Sequence, residues 1–156
     1  MIDRLISLLR GQPAVDPDSY DAKQIAAGAL LVESCRIDAS YAGVERRAIK
    51  RVLGERFALS EPDAEGLLRL AERSQSEVYS DFTFTEAVRE SFSEGERVEL
   101  ISMLWEVALS DGELHSFEDH MIRRVAIEVG VTESEVDAAR KEAAARLGLG
   151  DIQPTG

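Results

Sequence analysis

The stretch Trp105-Glu106-Val107-Ala108-Leu109-Ser110-Asp111-Gly112-Glu113-Leu114-His115-Ser116-Phe117-Glu118 decides the fold. An apolar run closes one helix, Asp-Gly makes a tight turn because glycine accepts positive φ without steric cost, and a second helix opens beyond it. Three carboxylates, Glu106, Asp111 and Glu118, lie around that corner. The same arrangement occurs once earlier in the chain. A shift of 73 positions carries Leu31-Val32-Glu33 onto Leu104-Trp105-Glu106, Asp38 onto Asp111, Glu45 onto Glu118 and Lys50-Arg51-Val52 onto Arg123-Arg124-Val125. With a one-residue slip, Leu59-Ser60-Glu61 then meets Val131-Thr132-Glu133. Each copy reads as apolar helix, acidic corner, apolar helix, hydroxyl cap and acidic third helix. Two copies imply one all-α globule of about seven helices with an internal pseudo-two-fold repeat, since a solenoid needs three or more repeats.

Composition supports that reading. The 156 residues suit a single domain with a sizeable core. Hydrophobic residues make up 44% but aromatics only 6%, which favours packed helices over sheets. Eighteen basic against 30 acidic residues leave a net charge of −12, which repels polyanions. Nucleic acid and anionic membranes are therefore poor partners, and cations or basic proteins better ones. A lone Cys35 in an apolar helical run excludes a disulfide framework, points to a reducing compartment and reads as a small buried residue. No apolar run approaches the roughly 20 residues needed to span a bilayer.

Residues 1–21 read as an amphipathic helix (Ile2, Leu5, Ile6 and Leu9 at helical spacing) followed by a Pro/Asp linker. Residues 22–148 form the helical domain and 149–156 a polar tail. Ile25, Ala29 and Val32 mark a helix buried over much of its circumference, and Ala48, Ile49, Val52, Leu53 and Phe57 give the next one an apolar stripe. Val98, Ile101, Trp105, Ala108 and Leu109 line one face of the helix that enters the quoted corner. Helix starts are signalled by a hydroxyl three residues before a carboxylate: Ser60…Asp63, Thr83…Glu86, Ser93…Glu96, Ser116…Asp119 and Thr132…Glu135.

The duplicated carboxylates suggest a site for a hard cation. Gly112 to Glu118 is similar to the latter half of an EF-hand loop, with Asp111 as its third acidic position and Glu118 as its last. Val107 and Leu109 occupy the first two acidic positions, and Ser34, Arg36 and Ala39 spoil the first copy, so neither corner is a working EF-hand. A smaller, weaker site is the expectation, with affinity on the order of 10⁻⁴–10⁻³ M. The competing reading makes the corners only turns and caps, stabilised by the helix dipole. His115 and His120 are five apart, off the helical zinc spacing, and read as surface residues. There is no phosphate-cradling loop and no nucleophile–base pair.

Ala29-Leu30-Leu31-Val32-Glu33, the Asp38…Glu45 spacing, Phe82-Thr83-Phe84-Thr85 and above all Leu104-Trp105-Glu106-Val107-Ala108-Leu109-Ser110-Asp111-Gly112…Glu118 resemble the tellurite-resistance protein B (TerB) family. The resemblance covers about Ala22 to Lys141. It implies a compact helical fold with pseudo-symmetry, no catalytic activity and a role in tellurite resistance and stress response. It also implies divalent-metal binding through acidic residues, and protein partners that are membrane-associated or calcium-binding. Carried onto this chain, the matching positions are Asp38 and Glu45 in the first copy and Asp111 and Glu118 in the second. Glu33 and Glu106 come from the repeat rather than the resemblance, and Ala39 departs from the family's Asp-Gly corner.

Tellurite itself is not the expected ligand: it is an anion, and a lone Cys35 is no redox centre. The combined expectation is a cytoplasmic protein, or one peripheral to the inner face of the membrane. It is non-enzymatic, binds calcium, magnesium or manganese weakly and recruits partner proteins. A metal-free interaction module and a carboxylate-dependent hydrolase are the alternatives.

Overall fold

A computed structural model describes residues 22–36, 43–75, 82–150 and 152; the expected amino-terminal helix and linker lie outside them. Seven helices are found among the described residues: α1 (Ala22–Arg36), α2 (Gly43–Arg56), α3 (Glu61–Gln75), α4 (Phe82–Ser91), α5 (Glu94–Ala108), α6 (Ser116–Val129) and α7 (Glu133–Arg146). No strand occurs among these residues, and the all-α expectation holds. The starts of α1, α2 and α3 recur in α5, α6 and α7 at offsets of 72 or 73 positions, and the pairing recurs too, with α1 on α3 and α5 on α7.

Two helices have interior stretches, because there the sequence leaves no polar face to present to water. In α1, every residue from Ile25 to Glu33 is buried. In α5, the buried run extends without a break from Leu100 to Val107, so the single apolar face expected of this helix is too narrow a description. Trp105 is fully buried, and its indole N–H donates to the Val136 carbonyl at 3.1 Å, tying α5 to α7. The Arg123 guanidinium lies 5.9 Å from the Trp105 ring centre and is held there by Asp119 and Asp137. One indole thus fixes α5, α6 and α7 together. On the other side, Gly28 brings α1 against α3: a Cβ at Gly28 would lie 2.8 Å from the Ala71 Cβ, so a larger residue would push the helices apart.

The helix starts are partly as the sequence signalled. Ser93/Glu96 and Thr132/Glu135 form complete reciprocal caps at α5 and α7, and the Asp63 N–H donates to Ser60 at α3. Thr83 lies inside the first turn of α4 rather than before it. At α6 the cap position belongs to His115, not Ser116, and the answering carboxylate is Glu118, not Asp119. Asp119 is instead buried and bound to Arg123 at 3.0 Å. No helix of the described residues is long and apolar enough to cross a membrane.

Candidate metal-binding corner

The corner between α5 and α6 is built by alternation. The α5 ladder ends with the Leu109 N–H donating to the Trp105 carbonyl at 2.8 Å, and Gly112 takes φ +84°, which turns the chain back. Leu109 and Leu114 are both 1% exposed and anchor the corner at its two ends. Successive side chains of an extended segment point to opposite sides. With Leu114 inward, Glu113 and His115 face solvent, and Asp111 is exposed as well. One donor atom each from Asp111, Glu113 and His115 can lie within 4.8 Å of the others. This is the group of three that the fold gathers at the corner.

That spacing fits a cation. Donors held 2.0–2.6 Å from one ion lie at most about 5 Å apart. Two carboxylates and an imidazole leave several coordination positions to water. The corner is also held by its own hydrogen bonds. Asp111 Oδ1 accepts from the Glu113 N–H at 3.0 Å, and Glu118 Oε1 accepts from the His115 N–H at 3.3 Å.

The six residues singled out in the sequence are distributed unevenly. Asp111 is in the gathered group. Glu118 stands one turn into α6, half-buried, and caps the helix. Glu106 is 2% exposed and faces the interior, where Glu106 Oε2 lies 3.6 Å from Arg56 Nε. Neither of these two buried atoms has a hydrogen-bond partner. Arg56 is anchored otherwise, donating through Nη2 to Ser102 Oγ at 2.9 Å and approaching Glu99 at 3.6 Å. Glu33 is 4% exposed within α1. Asp38 lies outside the described residues, as does the side chain of Glu45, which belongs to α2. Cys35 lies in α1, its side chain likewise outside. His120 is exposed as expected; His115 is exposed too, but stands beside two carboxylates.

Two residues of the group, Glu113 and His115, escaped the sequence reading. The available signal was the 111/113/115 alternation, which matches the first three ligand positions of a calcium loop that starts at Asp111. Aligning the Asp-Gly pair with the middle of such a loop hid it. Nothing in the sequence pointed to Arg56, whose carboxylate partner lies on a different helix.

In the comparisons with known proteins, the family model described as tellurite resistance protein TerB matches residues 24–141, more than half of the chain. No curated protein and no solved structure matches it.

Proposed function

The chain belongs to the TerB family, named for tellurite resistance, and from that premise we propose that it is a non-catalytic helical domain that binds a divalent cation weakly at the Asp111–Glu113–His115 corner and recruits a partner protein. The observation that carries the cation reading is the convergence of three solvent-facing donors within 4.8 Å on a segment whose backbone is already fixed. Asp111 and Glu113 would supply carboxylate oxygens and His115 a ring nitrogen. When bound, the ion would supply positive charge at an otherwise anionic corner. Calcium and magnesium take oxygen donors almost only, so an imidazole moves the preference among the expected ions toward manganese, with zinc as a further candidate. A cytoplasmic setting, at or away from the membrane surface, belongs to the same proposal.

A second reading, the metal-free interaction module, is favoured by one specific observation. Asp111 and Glu118 each have a structural task, as acceptors for the Glu113 and His115 N–H groups. A carboxylate used as a turn or cap acceptor needs no ion.

Calorimetric titration of chelator-treated protein with manganese, calcium, magnesium and zinc, with thermal melts alongside, separates the two. Saturable heat and a concentration-dependent rise in Tm, both lost in Asp111→Asn/Glu113→Gln, support the cation site. No heat and no shift up to millimolar metal would leave the interaction module.

A further inference from the structure

Helix α2 is basic on a strongly acidic protein. Its 14 residues carry Arg46, Arg47, Lys50, Arg51 and Arg56 against two glutamates, whereas the whole chain has 18 basic to 30 acidic residues. Arg46 is turned toward α3 and bound by Glu65 and Glu72. Arg47, Lys50 and Arg51, at i, i+3 and i+4, share the next face. Together with Glu55 and Glu61 they line a groove of about 470 Å³ between α2 and α3, whose apolar part is Gly54, Leu59 and Ala64.

The carboxylates beside this groove only partly answer its cations. Lys50 lies 3.5 Å from Glu61 and 3.7 Å from Glu65, and Arg51 lies 3.4 Å from the exposed Glu55. The Lys50–Glu65 pair is half-buried and long, while the exposed Arg51–Glu55 pair is worth little and exchanges readily for a better-placed partner. Arg47 is exposed and has no carboxylate at ion-pair distance among the described residues. Gly54 sits in the floor where α2 meets α3: a Cβ there would make ordinary contact with the Ala64 Cβ and the Leu59 carbonyl, each at 3.6 Å.

We infer that the α2–α3 groove docks an acidic amphipathic peptide segment of a protein partner, with apolar side chains over Gly54, Leu59 and Ala64 and carboxylates against Arg47 and Arg51. The occupant follows from complementarity. An apolar floor rimmed by three cations against two carboxylates keeps a net positive charge, which matches a segment that carries leucine-like residues flanked by glutamate or aspartate. The guanidinium forks prefer planar carboxylates to point anions. This face is separate from the α5–α6 corner, and the inference stands whether or not the corner binds a cation.

The test uses the full chain, isotope-labelled, titrated near physiological salt with a synthetic 14-residue peptide bearing Leu at helical spacing and Glu on the flanks. Saturable amide shifts centred on Gly54 and Leu59 are expected, with affinity reduced at least tenfold in Arg47→Glu/Arg51→Glu. The control Arg140→Glu/Lys141→Glu makes the same change in net charge elsewhere and should leave affinity within twofold. Asp111→Asn/Glu113→Gln should leave it unchanged, which separates this inference from the cation site. Absence of saturation at millimolar peptide would overturn the inference. So would equal binding of a Lys-flanked analogue, equal loss in the control variant, or binding only to phosphatidylserine vesicles.

Discussion

Glu106 and Asp111 stand five residues apart at the same end of α5, and the fold puts them to opposite uses. Glu106 is 2% exposed and faces Arg56 in the interior, whereas Asp111 is exposed and shares its corner with Glu113 and His115. Both are carboxylates near one turn, and the repeat duplicates both. What separates them is the end of the helix, with Glu106 inside its buried run and Asp111 beyond it. Residues 100–107 are buried on every side, so a carboxylate at position 106 must find a cation inside the protein. Beyond Leu109 the chain is no longer helical, and Leu114 alone sets which side chains face water. A carboxylate in the core holds helices together; a carboxylate in water is free for a ligand.

The buried pair carries the largest energetic effect. Arg56→Met leaves Glu106 buried without its cation, and we expect a loss of about 3–5 kcal/mol in chemical denaturation. Arg56→Met/Glu106→Leu should recover most of that loss, because an apolar pair of similar volume avoids desolvating two charges. If the double variant is no more stable than the single, the pair is not coupled as described.

The Arg46 network offers an intermediate case, half-exposed between α2 and α3. The Arg46 guanidinium forks onto Glu65 at 2.9 and 2.6 Å and reaches Glu72 at 3.0 Å. The hydrogen bond from Arg46 holds the Glu65 carboxyl down at about 2, against an ordinary 4.5. A depressed folded-state pKa contributes stability that is full above the unfolded value and is lost as pH falls from about 4.5 toward 2. Arg46→Gln should cost about 1–3 kcal/mol at neutral pH, toward the lower end because solvent reaches the network. The same substitution should flatten the decline in stability between pH 4.5 and 2 in acid melts.

At α7, Thr132 Oγ1 accepts the Glu135 N–H at 3.2 Å, and the Glu135 carboxylate accepts the Thr132 N–H at 3.0 Å. Thr132→Ala should cost about 1 kcal/mol in thermal unfolding. This sets the scale for a carboxylate that serves only as a cap, the role Glu118 has at α6.

The smallest effect on stability belongs to the exposed corner. Asp111→Asn keeps an oxygen for the Glu113 N–H, and Glu113 is solvent-facing, so Asp111→Asn/Glu113→Gln should alter stability by about 0.5 kcal/mol or less without metal. A larger loss would mean the corner is chiefly structural.

Much of the fold was legible because it rests on local signals. Apolar periodicity located the helices, and the Ser93 and Thr132 caps were readable as hydroxyl-to-carboxylate spacings. The site was less legible because its selection is tertiary. Asp111 was found, but the spacing that suggested Glu106 and Glu118 as its companions says nothing of which way a side chain faces. Glu106 is claimed by Arg56, 50 positions away in sequence, and Glu118 by the N–H of His115. Glu113 and His115 join Asp111 only because Leu114 enters the core, a contact that no pattern of carboxylates announces.

In the proposed site, exposure rather than carboxylate spacing selects the residues that would hold the cation. The most direct measurement is paramagnetic broadening of backbone amides by substoichiometric manganese in the isotope-labelled full chain. We expect broadening centred on Asp111 to His115, saturable and abolished in Asp111→Asn/Glu113→Gln, with Glu118→Gln far less affected. Broadening that survives in the double variant, or that is centred on another acidic surface, would place the cation elsewhere than at the α5–α6 corner.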